Sequence, residues 1–165
     1  MKFLQNIAFF LLLLAASCGK AQDKTKFSEK ALAEEMIDVN GEQILFSDVI
    51  SKYKGKRVVI DVWASWCGDC IGGMPKVKEL QKEYGDAVFL FLSVDKDYTS
   101  WKKGIEKYNV LGEHFFIPAG WKSDFNNSID LDWIPRYMVV DESGRIKLHK
   151  ATKASDKKIE KALKS

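Results

Sequence analysis

The sequence contains few cysteine and histidine residues and has no large excess of positive or negative charge. Its 165 residues include 3 cysteines and 2 histidines, few candidates for the four ligands of a closed tetrahedral zinc site. Lysine and arginine number 26 and aspartate and glutamate 23, so the formal charge of +3 does not indicate a nucleic-acid partner. The chain is long enough for one domain with a sizeable core rather than two.

Long apolar runs are also lacking. The apolar run near the N-terminus, Ile7–Ala16, is too short to span a membrane as a mature helix. Lys2 precedes this run and Ser17-Cys18 follows it, an order that is typical of a secretory signal peptide. The stretch Leu14-Ala15-Ala16-Ser17-Cys18 resembles a bacterial lipobox, in which cleavage leaves the cysteine as a lipid-modified N-terminus. It departs from the usual pattern at Ala15, where a leucine normally stands three places before the cysteine.

These signals predict three parts: a signal peptide over residues 1–17, a lipid-anchored flexible tether over 18–35 and a folded domain over 36–165. Cys18 is the predicted point of lipid attachment, and the alternative is an ordinary signal peptide with an incidental cysteine. The predicted location is the bacterial cell envelope, facing the periplasm. A lone disulfide tends to persist there, so a reductant must be re-reduced by another protein.

Strand and helix signals alternate along the predicted domain. Asn40-Gly41 between two apolar runs predicts an N-terminal hairpin, and a last hairpin is predicted across 141–144. The predicted strands are 36–39, 43–46, 57–63, 87–94, 115–117, 136–140 and 146–149. The predicted helices are 47–53 capped by Ser47, 71–84, one capped by Thr99 or Ser100, a short helix or loop near 124–128, and a last helix capped by Ser155. This order predicts an α/β domain with a central mixed sheet covered on both faces.

Two thiols, Cys67 and Cys70, lie three residues apart where a strand passes into a helix. The unpaired N–H groups and the dipole of a helix N-terminus stabilise a thiolate at Cys67. Cys70 lies one turn further on the same face, an offset that suits a disulfide, whose Cα atoms approach to about 4.4–6.8 Å. The pattern predicts a redox switch.

Residues 59–70 resemble the active-site stretch of the thioredoxin family. Pro75 stands at the place of the family's helix-kinking proline, and Ile134-Pro135 resembles its cis-proline loop, which faces the disulfide. The export signal, the N-terminal hairpin and an insertion between core strands resemble the TlpA/ResA-type branch, the tethered thiol-disulfide reductases of bacterial envelopes. The resemblance covers about residues 36–164. It implies a thioredoxin-like fold and reduction of disulfides in exported proteins by a Cys67–Cys70 dithiol/disulfide cycle, with no bound cofactor or metal.

The resemblance also implies roles for single residues. Cys67 is the expected attacking thiolate and Cys70 the less exposed resolving thiol. Asp61 lies on a buried strand, which should raise its pKa toward neutrality, and it is expected to shuttle the proton of Cys70. The alternative for Asp61 is a structural carboxylate satisfied by hydrogen bonds.

Substrate binding is expected at Trp66, Ile134 and Pro135. A cis bond before Pro135 would leave the Ile134 backbone free to pair with an extended substrate strand. Trp66 is expected to form an apolar docking surface, and its alternative is a core aromatic residue. Arg136 has two open interpretations, steering of acidic substrates or pairing with a surface carboxylate.

Gly68 and Asp69 lie between the cysteines and are expected to tune the redox couple. The carboxylate of Asp69 opposes thiolate formation at Cys67, which favours the disulfide and therefore a reductase over an isomerase or an oxidant. The expected partners are a protein or peptide disulfide and, from the family, a membrane thiol-transport protein as electron donor. We expect a monomer.

One rival hypothesis is a copper chaperone that binds Cu(I) through Cys67, Cys70 and His149. The related chaperones have three residues between their cysteines, whereas this chain has two. A peroxiredoxin is disfavoured because the sequence lacks its Pro-x-x-x-Thr-x-x-Cys motif.

Overall fold

The computed structural model describes residues 23–165, so the predicted signal peptide and Cys18 lie outside the described residues. Its strands are β1 (Glu35–Asp38), β2 (Gln43–Leu45), β3 (Val58–Trp63), β4 (Val88–Ser93), β5 (Glu113–Phe116), β6 (Arg136–Val140) and β7 (Ile146–Ala151). Its α-helices are α1 (Glu29–Leu32), α2 (Phe46–Ser51), α3 (Gly68–Glu83), α4 (Tyr98–Tyr108), α5 (Asp124–Ser128) and α6 (Lys157–Leu163), with a 3-10 helix at Gly120–Lys122. No helix in this part of the chain is long and apolar enough to cross a membrane.

The seven strands form one sheet in the order β2-β1-β5-β4-β3-β6-β7. The pairs β3–β4 and β4–β5 are parallel, and the other four pairs are antiparallel. All six residues of β3 are buried, as expected for an apolar, β-branched strand between two partners. Both faces of the sheet are therefore covered at its centre, which confirms the predicted α/β class. This central strand ends beside the cysteine pair.

Both predicted hairpins form. β1 pairs with β2 across a turn in which Gly41 has a φ of 90°, a value that glycine adopts without strain. Asp38 stabilises this turn, since its Oδ1 atom accepts hydrogen bonds from the backbone N–H groups of Asn40 and Glu42. The hairpin extends the sheet beyond β5.

Three predicted N-caps are wrong by one to three residues. α2 begins at Phe46, with Ser47 inside the helix. α4 is capped by Asp97 rather than Thr99 or Ser100, and α6 by Asp156 rather than Ser155. Aspartate caps a helix as well as serine does, so neighbouring Ser and Asp residues offer the chain competing starts.

The predicted tether and the domain start at residue 36 also need correction, because the chain packs against the domain before that point. Ser28 caps α1, and Ala31 is fully buried. The ring of Phe27 lies 4.9 Å from that of Phe46 and 6.0 Å from that of Phe125, measured between centroids. These few apolar side chains are too irregularly spaced to produce a periodic signal, yet they fix the segment to α2 and α5.

Candidate active site

Cys67 and Cys70 are joined by a disulfide, with their Cα atoms 5.3 Å apart. Cys67 is the N-cap of α3, and its Sγ atom accepts a hydrogen bond from the backbone N–H of Cys70 at 3.1 Å. The helix begins at Gly68, three residues earlier than predicted, so the helix N-terminus lies directly at the sulfur. Cys67 is 7% exposed and Cys70 is fully buried, in the expected order although the first thiol is less open than expected.

A cis peptide bond joins Ile134 to Pro135, in agreement with the resemblance. The Sγ atom of Cys67 lies 3.7 Å from the carbonyl oxygen of Ile134. The loop before β6 therefore faces the disulfide.

Three exposed tryptophans surround this position. Trp66 is 59% exposed, and Trp121 of the 3-10 helix and Trp133 of the cis-proline loop are 42% and 56% exposed. Together with Cys67 and Asp69 they line a groove of about 380 Å³, whose other lining residues are Gly68 and Ile134. The exposure of Trp66 favours a docking surface over a core residue. Sequence reasoning missed the other two tryptophans, whose only signal was an aromatic-rich insertion.

Asp61 lies on β3 beside Tyr137 of β6, its partner in the antiparallel register. Asp61 is 2% exposed, and neither of its carboxylate oxygens has a hydrogen-bond partner among residues 23–165. Burial raises the pKa of Asp61 to about 8, and the nearby Tyr137 hydroxyl opposes that rise. The side chain can therefore exchange a proton near neutral pH.

Arg136 is fully buried, which excludes the first of its two interpretations, steering of acidic substrates, whereas its ion pair with the exposed carboxylate of Asp132 agrees with the second. Its guanidinium donates hydrogen bonds to the backbone carbonyls of Ile129 at 2.8 Å and Asp130 at 3.1 Å, and it pairs with Asp132. Lys150 and Arg136 together lower the pKa of Asp132 to about 2. Arg136 thus fixes the segment that leads into the cis-proline loop.

A second buried carboxylate holds the other side of the site. Asp95, just beyond β4, accepts hydrogen bonds from the Ser65 backbone N–H at 3.0 Å and the Ser65 hydroxyl at 2.7 Å. It also accepts one from the Ser93 hydroxyl at 2.8 Å. Ser65 stands between β3 and Cys67, so Asp95 anchors the backbone that presents the thiols.

The copper hypothesis finds no support. His149 lies partly buried on β7, and no three His, Cys, Asp or Glu side chains between residues 23 and 165 are grouped so that they could hold a metal ion. The other histidine, His114, is buried on β5 and stacks on the Phe91 ring at 5.0 Å between centroids. Its burial lowers the pKa of His114 to about 4.

Several known proteins are similar to this chain. The thioredoxin-like protein YneN of Bacillus subtilis is 30% identical over 97 residues, covering 56% of this chain and 55% of that protein. The thiol-disulfide oxidoreductase ResA of Bacillus thuringiensis subsp. konkukian is 21% identical over 154 residues, covering 86% of this chain and 85% of ResA. The chain spans less than two thirds of the length of the first curated relatives that it matches.

A solved structure of a thiol-disulfide oxidoreductase from Bacteroides vulgatus superposes with a TM-score of 0.68 and 30% identity, over 82% of this chain and 87% of that one. The Redoxin family model matches residues 25–163, a range that contains Asp61, both joined cysteines and the cis-proline loop. On this match and this geometry, the chain belongs to the Redoxin family.

Proposed function

We propose that this protein is a thiol-disulfide oxidoreductase that reduces disulfides of exported proteins. The observation that carries the proposal is the Cys67–Cys70 disulfide at the N-terminus of α3, beside the cis-proline loop and an apolar groove. The groove offers a substrate strand a place to lie against Cys67. The similar proteins that carry the name thiol-disulfide oxidoreductase support the same chemistry.

The cycle starts from the dithiol. The Cys67 thiolate attacks one sulfur of the substrate disulfide, whose S–S bond breaks, and the second substrate sulfur leaves as a thiolate that takes up a proton. The carboxylate of Asp61 then accepts the proton of the Cys70 thiol. The Cys70 thiolate attacks Sγ of Cys67, the mixed disulfide breaks, and the first substrate sulfur leaves as a thiolate that takes up a proton from water, while Asp61 returns its proton to water. Two electrons have passed to the substrate, and Cys67–Cys70 is the product disulfide.

The direction of transfer rests on Asp69, the one ionisable side chain besides Cys67 in the groove lining. Its negative charge beside the thiolate of Cys67 favours the disulfide form of this protein. A couple of this kind donates electrons, which favours a reductase over an isomerase or an oxidant. No cofactor beyond the disulfide is needed for the cycle.

The cellular setting is part of the proposal. Cleavage after residue 17 and lipidation at Cys18 would hold the domain at a membrane of the bacterial envelope, facing the periplasm, with a tether that ends near Phe27 rather than at residue 35. A membrane thiol-transport protein would return electrons to the disulfide, since an oxidising compartment does not. The protein would act as a monomer.

Insulin reduction tests the activity. The reduced protein should cleave the interchain disulfides of insulin, and both Cys67→Ser and Cys70→Ser should abolish turnover. Cys70→Ser should also accumulate the mixed disulfide, because the resolving thiol is missing. Cys18→Ser is the matched control and should reduce insulin at the unaltered rate. Turnover by Cys67→Ser would contradict the proposal.

Lipid attachment is tested separately. Cells fed radiolabelled palmitate should label the unaltered protein, and Cys18→Ser should lose the label. A labelled Cys18→Ser protein, or an unlabelled original, would contradict lipidation while leaving the proposed reductase activity in place.

A further inference from the structure

Asp61 and Tyr137 form a buried polar pair. They are directly opposite each other on β3 and β6, and their side chains are therefore neighbours on one face of the sheet. Asp61 is 2% exposed and Tyr137 1%. The Tyr137 hydroxyl, like both Asp61 oxygens, has no hydrogen-bond partner among the residues that the structure describes. Unpaired buried polar groups are costly, so two of them side by side call for an explanation.

Gly73 supplies the space for the Tyr137 hydroxyl. A Cβ atom at Gly73 would lie 3.0 Å from that oxygen, tighter than an ordinary van der Waals contact. Gly73 lies on α3 one turn after Cys70, and residues three apart share a helix face. Cys70, Tyr137 and Asp61 therefore lie between α3 and the same face of the sheet.

The other neighbours of Asp61 carry no charge. Its partner on β4 is Phe91, and from α3 the titratable group is Cys70, which is held in the disulfide. Burial and the Tyr137 hydroxyl are the two influences on the Asp61 carboxyl. Burial also raises the pKa of Tyr137, so its hydroxyl stays a neutral donor throughout the working range.

We propose that Tyr137 is a positioning residue for the proton shuttle: when Asp61 is ionised, the Tyr137 hydroxyl donates a hydrogen bond to its carboxylate in the space that Gly73 leaves open. The proposal rests on the proposed function, in which Asp61 accepts the proton of Cys70. A carboxylate can accept that proton only while it is charged. A hydrogen bond from the Tyr137 hydroxyl favours the charged form of Asp61, which burial otherwise disfavours. Asp61 can therefore accept the proton of Cys70 when Cys70 must resolve the mixed disulfide.

The test is a titration of Asp61 in the oxidised full-length protein. The chain is labelled with ¹³C at the aspartate carboxyl carbons, and the Asp61 resonance is assigned as the one missing from Asp61→Asn. Tyr137→Phe should raise the midpoint of this resonance by at least about 0.5 pH units, because the charged form loses its donor. Tyr84→Phe, which removes another buried hydroxyl at the far end of α3, should leave it in place.

A pair of glycine variants provides a second test that keeps the hydroxyl. Gly73→Ala pushes the Tyr137 hydroxyl away and should raise the midpoint in the same direction. Gly72→Ala is the matched control, because a Cβ atom there meets nothing within 4 Å. This pair also decides the matter if Tyr137→Phe fails to fold.

The pH profile of insulin reduction must follow the titration. Its acid limb should move to higher pH by the same amount in Tyr137→Phe and Gly73→Ala, and in neither control. An unmoved or lowered midpoint in Tyr137→Phe and Gly73→Ala would overturn the proposal, as would a raised midpoint with an unmoved activity profile. Turnover by Cys67→Ser would instead overturn the proposed function, and the titration does not depend on that result.

Discussion

Asp61 and Asp95 are both 2% exposed, yet their surroundings are opposite. Asp95 accepts hydrogen bonds from Ser65 and Ser93, whereas Asp61 has no hydrogen-bond partner among residues 23–165. A buried carboxylate that is fully bonded holds neighbouring backbone in place. One without partners carries the cost of its own desolvation and can lose or gain a proton near neutral pH. The difference separates a structural acid from a chemical one at the same degree of burial.

Removal of Asp95 should have the largest effect on stability. Asp95→Ala leaves the Ser65 N–H and the hydroxyl groups of the partly buried Ser65 and the buried Ser93 without their acceptor, and we expect a loss of about 3 kcal/mol in the free energy of unfolding. Urea unfolding of the oxidised protein measures this loss. The control is Asp97→Ala, which removes an exposed helix cap and should cost about 1 kcal/mol. Equal losses in the two variants would remove the contrast between Asp95 and an ordinary surface acid.

Asp61→Asn should have the opposite effect on stability. We expect the free energy of unfolding to increase by about 2 kcal/mol at pH 7, after the cost of burying an unpaired amide is subtracted. The Asp61 pKa of about 8 lies above the ordinary 3.8, so the folded chain binds one more proton than the unfolded chain between these values. Stability therefore falls as the pH rises from about 4 to about 8, and above that window the full cost remains.

Urea unfolding at several pH values checks this prediction. The fall between pH 4 and pH 8 should become shallower in Asp61→Asn, because its amide does not titrate. Asp95→Asn is the matched control for the substitution, and it should lower stability at every pH. An Asp61→Asn protein less stable than the original at pH 8 would show that the carboxylate is structural after all.

The substitution Gly104→Ala tests whether the backbone at Ser65, which is bonded to Asp95, can shift. A Cβ atom at Gly104 of α4 would lie 2.4 Å from the Cβ atom of Ser65, so one backbone must shift. Ser65 is bonded to Asp95 and cannot move freely, and we expect a net loss of about 1 kcal/mol after the gain in helix propensity. Thermal unfolding measures this loss. The control Gly72→Ala meets no neighbour and should be neutral or stabilising; an equally neutral Gly104→Ala would mean that Ser65 is not fixed.

Most of the difference between Asp61 and Asp95 could not be predicted from the sequence alone. The positions of Cys67, Cys70 and Asp61 could be predicted because a buried strand and a helix start are local patterns, whereas the proton role of Asp61 and the cis bond before Pro135 came from the family resemblance. Tyr137 reaches the site only through the β3–β6 register, which is a tertiary property.

Errors in exposure have a related cause. Arginine is usually exposed, so neither interpretation of Arg136 places its guanidinium in the interior, and nothing local in the sequence indicates the carbonyls of residues 129 and 130 that accept its hydrogen bonds. Trp121 and Trp133 come from an insertion without periodic apolar residues. Their approach to Cys67 depends on how that insertion folds over the sheet.

Asp69 is a third aspartate, exposed beside the thiols, and it should show the smallest effect. Asp69→Asn removes a charge that opposes the Cys67 thiolate, and we expect the reduction potential of the Cys67–Cys70 couple to rise by roughly 10–30 mV. Equilibration with glutathione measures the potential. Asp69→Pro removes the same charge in the first helical turn, where proline is tolerated, and should give a rise of similar size. Because the side chain is exposed, salt should shrink the difference from the original protein, unlike any effect of Asp61. A fall in potential, or a rise that ignores ionic strength, would show that Asp69 acts through the backbone of the Cys67–Cys70 turn rather than through its charge.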